Sequence, residues 1–322
     1  MQTARLLATV SRPEFLPANS ASIIIGLSWG INLPVDLIWE LAIPVALVST
    51  IITLVSAAAA QVNTLADYEL DSKDSRKKEL VQAMSLLGKD KLISFMAIEL
   101  LLSLAFVLLL YLIQGKPALL LIWAVAVFLA YSYSASPLRL KSRSWLAVIT
   151  LLVVLSILPV TFVYHTFASE LDPLFPLFLS GQTLTVYGVI VPAEIRDYFG
   201  DRAMGIDTVT VRLGLAKASL FSIVLLSVGG VLCGTGFLLR LAYGSYPALT
   251  IFLLIVAFAY FYVLRKYNRL YSLSKRYIIS EDQSSIAQDI ERLSAHNPHW
   301  ITLITQTIVF MSLVLLAGKL LP

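Results

Sequence analysis

Asn63, Asp67, Asp71 and Asp74 stand at offsets of 4, 8 and 11 residues, where a long apolar run gives way to polar sequence. On a helix, at about 100° per residue, those offsets drift from Asn63 by about 40°, 80° and 20°, so all four share one stripe roughly 16 Å long. Carboxylates in register at the mouth of an apolar helix repel one another and lose water, which is costly. A divalent cation relieves that cost. Oxygen-only ligands, with waters and a phosphate completing the shell, describe a Mg²⁺ site. A second stretch has the same design: Glu194, Asp197 and Asp201 follow another apolar run at i, i+3 and i+7. Glu194 and Asp201 are then only about 20° apart on a helix. Two acidic stripes at the same end of two hydrophobic helices read as facing walls, with a pair of Mg²⁺ ions between them to clamp a diphosphate.

A diphosphate also calls for cations from the protein. Arg12 precedes the first apolar run, and Lys73, Arg76, Lys77 and Lys78 follow the first stripe. Arg139 and Lys141 come after the fourth run, and Arg196 and Arg202 are interleaved with the second stripe. Arg12, Lys77, Arg139 and Lys141 are the candidates for phosphate contact; most of the others read as topology signals. Glu99, inside the third run, is an intramembrane acid and so a functional candidate, or else bonded to a neighbouring helix. His165 lies far from the acidic end and reads as a loop residue. His296 and His299 flank Asn297-Pro298, a turn-and-start signal rather than a metal pair. The glycines at 229, 230, 234 and 236 are expected to permit close helix packing.

The elements that must position these residues are apolar. Hydrophobic residues make up 58% of the 322 and charged residues 14%, with mean hydropathy +0.83. Soluble domains average about 25% charged, so the chain is solvated by lipid. Nine runs are long enough to cross or nearly cross a bilayer: 15–33, 41–63, 92–113, 118–133, 145–167, 174–196, 219–241, 248–264 and 300–318. Only helices satisfy their own backbone in lipid, which predicts one all-α domain over residues 1–322, a bundle of about nine transmembrane helices. On that topology 21 of the 24 Lys and Arg fall on one side, leaving Lys116, Arg240 and Lys319 opposite. The positive-inside rule makes the crowded side cytoplasmic, with the N-terminus and both acidic motifs on it; in a prokaryote the membrane is the cell membrane. Arg5 and Arg12 flank only short apolar pieces without a small-residue cleavage site, so no cleavable signal is expected. The net charge of +4 is too small and scattered for nucleic acid and suits an anionic lipid face. The single Cys233 excludes an intramolecular disulfide and a cysteine zinc site and reads as a small buried hydrophobe. The segment 280–293 has apolar residues at 286, 290 and 293 and reads as a short surface helix lying at the interface.

N-x3-D-x3-D, followed far downstream by D-x3-D before Arg-Ala-x-Gly, resembles the UbiA superfamily of intramembrane prenyltransferases. Ser11-Arg-Pro-Glu-Phe-Leu-Pro17, Tyr131-Ser-Tyr-Ser-Ala-Ser-Pro137-Leu-Arg139-Leu-Lys141 and Thr210-Val-Arg212-Leu-Gly214 strengthen the likeness, which runs from about residue 11 to the last apolar run. The family usually has Asn four residues before the first Asp of its second motif. Here that position is Ala193, and Glu194 beside it is expected to supply the oxygen. Arg76-Lys-Lys-Glu stands where the family usually shows Arg-Pro. The resemblance implies a UbiA-like bundle that ionises a polyprenyl diphosphate on Mg²⁺ and transfers the prenyl group to a hydrophobic acceptor, aromatic or lipid, releasing diphosphate. The implied metal ligands are Asn63, Asp67, Asp71, Glu194, Asp197 and Asp201. The four aspartates are implied as catalytic, together with Tyr131 of the Tyr131/Tyr133 pair, whose aromatic face would steady an allylic cation. Relatives prenylate hydroxybenzoates, naphthoates, homogentisate, haem, chlorophyllide or lipid glycerols, and the start Arg12-Pro-Glu-Phe-Leu-Pro faintly resembles the naphthoate-using branch. Two other readings remain open at this point. One is a terpene cyclase with the same diphosphate site; the other is an ion-coupled transporter, against which acids at one face rather than the midplane argue.

Overall fold

The computed structural model describes residues 2–31, 40–72, 77–203, 205–244 and 247–320, and among them there are helices and no strand. In chain order these are α1 (Gln2–Val10), α2 (Leu16–Gly30), α3 (Ala42–Asp71), α4 (Lys78–Leu87), α5 (Lys89–Gln114), α6 (Ala118–Ser134), α7 (Trp145–Leu152), α8 (Leu158–Phe167), α9 (Phe175–Ala203), α10 (Val209–Leu213), α11 (Leu215–Tyr243), α12 (Leu253–Ile279), α13 (Gln283–Ser294) and α14 (Asn297–Leu320). A π-helical turn, Val153–Ile157, joins α7 to α8 as one continuous rod.

Each of the nine apolar runs contains a helix among the described residues, but the count of nine crossings does not follow from length. Among the described residues, seven helices are long and apolar enough to cross a membrane. The protein is an integral membrane protein. α6 has 17 residues and α2 has 15. At 1.5 Å per residue they reach about 26 and 23 Å, short of a hydrocarbon core of about 30 Å. Both pack beside longer elements, α2 against α14 and the rod that ends in α8, and α6 against α3 and the same rod.

One end of the bundle is fixed by the three isolated cations. The Lys116 ammonium, between α5 and α6, donates to the carbonyls of His165, Thr166 and Ala168 at 2.9, 3.1 and 2.7 Å. Those carbonyls close α8, where the helix leaves acceptors without amide partners, so the lysine acts as a C-cap. Burial pushes Lys116 below the usual lysine range. Lys319, at the end of α14, caps α2 in the same way through Trp29 O at 3.2 Å and Ile31 O at 2.9 Å. Arg240 pairs with Asp172 at 2.8 Å. These contacts gather the ends of α2, α8, α11 and α14 with the start of α9. The acidic ends of α3 and α9 therefore both lie at the other end.

α9 is the central helix. Its flanks feed two buried apolar clusters, one around Trp29, Phe178 and Phe237, the other around Tyr187, Ile195 and Leu215. Its closest partner is α11, and glycine makes that closeness possible. A Cβ on Gly181 would fall 2.5 Å from the Cys233 amide nitrogen, and one on Gly229 would fall 2.5 Å from Thr185 Oγ1. Gly230 lies against the Tyr260 ring and Gly236 against Phe178, while Gly234 faces open space. Pro192, inside α9, has no amide to give the carbonyl four residues earlier. That carbonyl, Gly188 O, takes the Ser222 hydroxyl of α11 at 2.7 Å, and the adjacent Val189 O takes Asn297 Nδ2 of α14 at 2.9 Å. Side chains from neighbouring helices thus repair the break, as lipid requires.

The amphipathic helix α13 differs from expectation. Ile286 and Ile290 are buried against α9, α10 and α12 rather than turned toward lipid. Amphipathicity reveals an apolar face without saying which apolar phase receives it.

Candidate active site

α3 is 30 residues long, about 45 Å, so its last turns pass beyond a hydrocarbon core of about 30 Å. Asn63, Asp67 and Asp71 stand on those turns; Asp74 of the expected stripe, with Lys73 and Arg76, lies outside the described residues. Asp71 is buried, and its Oδ1 takes Lys77 Nζ at 2.6 Å. Asp67 Oδ2 is bound by the Lys141 ammonium, and Arg139 Nη2 stands 3.5 Å from Oδ1. Lys141 also donates to Asn63 Oδ1 at 3.2 Å. The Lys141 and Asp67 side chains are only 16% and 14% exposed. Burial pushes Lys141 below the usual lysine range, against the opposing pull of its bond to Asp67.

Lys141 reaches α3 from a short 3₁₀ turn, Leu140–Ser142, flanked by two non-glycine residues at positive φ, Arg139 (38°) and Ser144 (43°). Each such residue costs on the order of 1–3 kcal/mol and persists where its surroundings over-determine it. The bonds of Arg139 and Lys141 to α3 supply that constraint.

Tyr133, on the last turn of α6, lies within electrostatic reach of both Asp67 on α3 and Glu194 on α9. Tyr131, the expected catalytic tyrosine, is 54% exposed. Two positions on a helix are about 200° apart, so when Tyr133 faces inward Tyr131 faces out.

On α9, Glu194 accepts hydrogen bonds from Tyr187 Oη on Oε1 at 3.1 Å and from Thr210 Oγ1 on Oε2 at 2.7 Å. Thr210 is presented by α10, whose first turn is capped by Thr208 Oγ1 accepting from the Val211 amide at 3.2 Å. Asp197 is bracketed by its neighbour Arg196, with Nε and Nη2 each 3.2 Å from a carboxylate oxygen. Arg202 donates to Tyr198 Oη at 3.2 Å. In the turn after α9, Arg212 Nε lies 2.7 Å from Asp207, which holds that carboxyl below the usual range. Arg196 and Arg202 therefore serve their own helix. Asp201 stands on the last turn of α9, one turn beyond Asp197.

The segment before Arg12 meets α3 through Ser11, while the Arg12 guanidinium turns to its own segment. Gln61 Nε2 donates to Ser11 Oγ at 2.9 Å, while the Arg12 side chain stands 3.4 Å from Glu14 and over the Phe15 ring. The same Gln61 amide donates to Glu99 Oε1 at 3.0 Å, so the intramembrane acid is bonded to a neighbouring helix.

The expected ligands are all oxygens, suited to Mg²⁺. Among the described residues no three His, Cys, Asp or Glu side chains converge as a ready-made metal cage. Mg²⁺ commonly uses one or two carboxylates and takes the rest of its shell from water and substrate phosphate. The ammonium of Lys141 seated on Asn63 and Asp67 demonstrates that these oxygens converge on a cation. The donor set fits.

The model of the UbiA prenyltransferase family matches residues 21–279. The chain belongs to the UbiA prenyltransferase family. Solved UbiA-type structures share its fold. A structure of digeranylgeranylglyceryl phosphate synthase superposes with TM-score 0.65 at 15% identity, covering 97% of this chain and 99% of its own. A UbiA homologue from Archaeoglobus fulgidus bound to GPP and Mg²⁺ gives TM-score 0.62 at 15% identity, covering 93% and 99%. A UbiA homologue from Aeropyrum pernix K1, without ligand, gives 0.60 at 15%, covering 90% and 95%. No curated protein sequence matches the chain.

Two residues that hold Glu194 in the candidate site, Tyr187 and Thr210, carry no signal of that role in the sequence beyond their positions. Tyr187 lies seven residues before Glu194 on the same face. Thr210 sits in a stretch that carried the family resemblance without a role attached.

Proposed function

We propose that the protein is an intramembrane prenyltransferase, which takes a prenyl diphosphate, ionises it and transfers the prenyl group to a hydrophobic acceptor, aromatic or lipid. The observation that carries this is that α3 and α9 end in acidic residues at the same end of the bundle, with Lys77, Arg139 and Lys141 already on the carboxylates of α3. Asn63, Asp67 and Asp71 on α3 and Glu194, Asp197 and Asp201 on α9 would hold Mg²⁺, a pair of ions in our reading. Glu194 substitutes for the oxygen missing at Ala193, and the Tyr187 and Thr210 hydroxyls set its direction; each bonded oxygen keeps a further lone pair for the metal. When bound, Mg²⁺ supplies Lewis acidity that draws charge onto the departing diphosphate.

The remaining steps fall to side chains of this chain. Arg139, Lys141 and Lys77 meet the phosphate oxygens, Arg12 approaching from the segment beside α3. The bond between the allylic carbon and oxygen breaks, and its electron pair leaves with the diphosphate. Tyr133 presents an aromatic face to the cation left behind, and the acceptor closes a new bond to that carbon while losing a proton. The apolar helices keep water away from the cation. The GPP and Mg²⁺ of the Archaeoglobus homologue accord with this reading. We assign the site to the cytoplasmic face, where diphosphates and Mg²⁺ are available.

The test is product analysis. Purified protein is incubated with Mg²⁺, prenyl diphosphates of several lengths and candidate acceptors, and the products are read by mass spectrometry. Prenylated acceptor and free diphosphate are expected, both lost in chelator, restored by Mg²⁺ and restored less well by Ca²⁺, whose bonds are longer and geometry looser. Full turnover in excess chelator would refute the reading, and a cyclised hydrocarbon formed without acceptor would replace transfer with cyclisation.

A further inference from the structure

The first acidic wall carries its own cation. Lys141 Nζ bonds both Asn63 Oδ1 and Asp67 Oδ2, two ligands proposed for the metal, and Arg139 stands behind it on Asp67 Oδ1. Lys77 holds Asp71, the third oxygen ligand of that helix. Asp67 and Asp71 are thus neutralised without metal, although they stand in register and would otherwise repel.

We propose that Lys141 is a placeholder for the metal: without substrate it occupies the cation position between Asn63 and Asp67, and it transfers to the diphosphate when metal and diphosphate bind together. The inference rests on the prenyltransferase reading and adds to it a rule for how the site fills.

Three observations support it. The contact is specific, since one ammonium bridges two ligands four residues apart on α3, joining residues 78 and 74 positions away in the chain. The contact is shielded, with both side chains largely buried, so the pair is poorly screened by solvent. Its carrier is strained. Arg139 and Ser144, on either side of the turn, sit at positive φ, and release of Lys141 frees that turn to relax.

The consequence is coupling. A free divalent ion must displace an ammonium from its own ligands, so it binds weakly. A diphosphate offers that ammonium new oxygen partners, so metal and diphosphate each improve the binding of the other, by the same factor. The site would therefore not fill with Mg²⁺ alone in a metal-rich cytoplasm.

Mn²⁺, counted by electron paramagnetic resonance, tests this on the full chain in lipid nanodiscs, with and without a non-cleavable geranyl thiolodiphosphate. Wild-type protein is expected to bind Mn²⁺ weakly alone and at least tenfold more tightly with the analogue. Lys141→Met is expected to tighten Mn²⁺ alone by about tenfold or more, because the competing cation is gone, and to loosen Mn²⁺ in the presence of the analogue. That reversal of sign is the signature. Lys141→Gln, which keeps a polar group beside Asn63 and Asp67 should the methionine fail to fold, is expected to move in the same directions. Lys141→Arg keeps a cation and should bind Mn²⁺ alone as weakly as wild type. Unchanged or weaker binding of Mn²⁺ alone in the folded Met or Gln variant would overturn the placeholder and leave Lys141 a phosphate ligand only. Wild-type protein that takes up neither Mn²⁺ nor the analogue, singly or together, would overturn the diphosphate site itself and the placeholder with it.

Discussion

Thr210 donates a 2.7 Å hydrogen bond to Glu194 across sixteen residues, so a short helix after the second acidic stretch aims an acid within it. Thr210→Val keeps the volume and removes the donor. Outer partners of a metal-binding carboxylate are worth about 10–100-fold in metal affinity or activity, so turnover should fall by about that factor and half-saturating Mg²⁺ should rise. Glu194→Gln should weaken the response to Mg²⁺ further, and Ala193→Asn in that background should recover part of it. A Mg²⁺ titration of each variant that overlays wild type would reduce Glu194 to an ordinary helix-end acid.

The two walls should act as one device. Asp67→Asn and Asp201→Asn each retain shape and lose one charge, so insertion into the membrane should survive. Turnover should drop by on the order of a hundredfold or more in each. The double variant should be little worse than the poorer single variant, because groups that act as a unit are not additive. Losses that simply multiply would argue for two independent sites.

Tyr133 and Tyr131 make a matched pair for substitution. Tyr133→Phe should lower turnover and Tyr133→Ala more severely, since the first loses a hydroxyl that feels the charges of Asp67 and Glu194 and the second also loses the ring. Tyr131→Phe should be close to neutral. Equal losses at the two positions would contradict the inward direction of Tyr133.

Sidedness can be read with cysteine chemistry. Cys233 is buried and serves as an unreactive background for single added cysteines. Ser169→Cys, at the end capped by Lys116, should react with a membrane-impermeant maleimide on whole cells. Gln283→Cys, at the start of α13, should react only after the membrane is opened. Labelling of both from outside would remove the cytoplasmic assignment.

The helices were legible because each hydrophobic run had to bury its backbone in lipid, and the continuous helix Trp145–Phe167 coincides with its run. The acidic stripes were legible because a fixed turn of 100° per residue makes spacing into a face. Crossing numbers were less so, since α2 and α6 are short and packing partners decide whether such a helix is tolerated. Lys141 on Asn63, 78 residues apart, and Ser222 on Gly188, 34 apart, left no mark on local sequence. Such contacts depend on which helices become neighbours. The direction of the two tyrosines was not legible for a simpler reason: Tyr131 and Tyr133 have opposite phases on α6, and composition around them does not say which phase is inward.

Asn297, at the first position of α14, supplies the amide that meets Val189 beside the Pro192 break, 108 residues earlier in the chain. At synthesis rates of about 5–20 residues per second, roughly 5–20 s separate the two partners as they leave the ribosome. During that interval α9 can already be threaded into the bilayer with both acidic motifs made, yet the carbonyls freed around Pro192 lack one of their partners. The order of manufacture and the order of completion are thus reversed: the acidic stretches wait for α14. A nascent chain released before α14 would carry every acidic residue and still lack a finished wall.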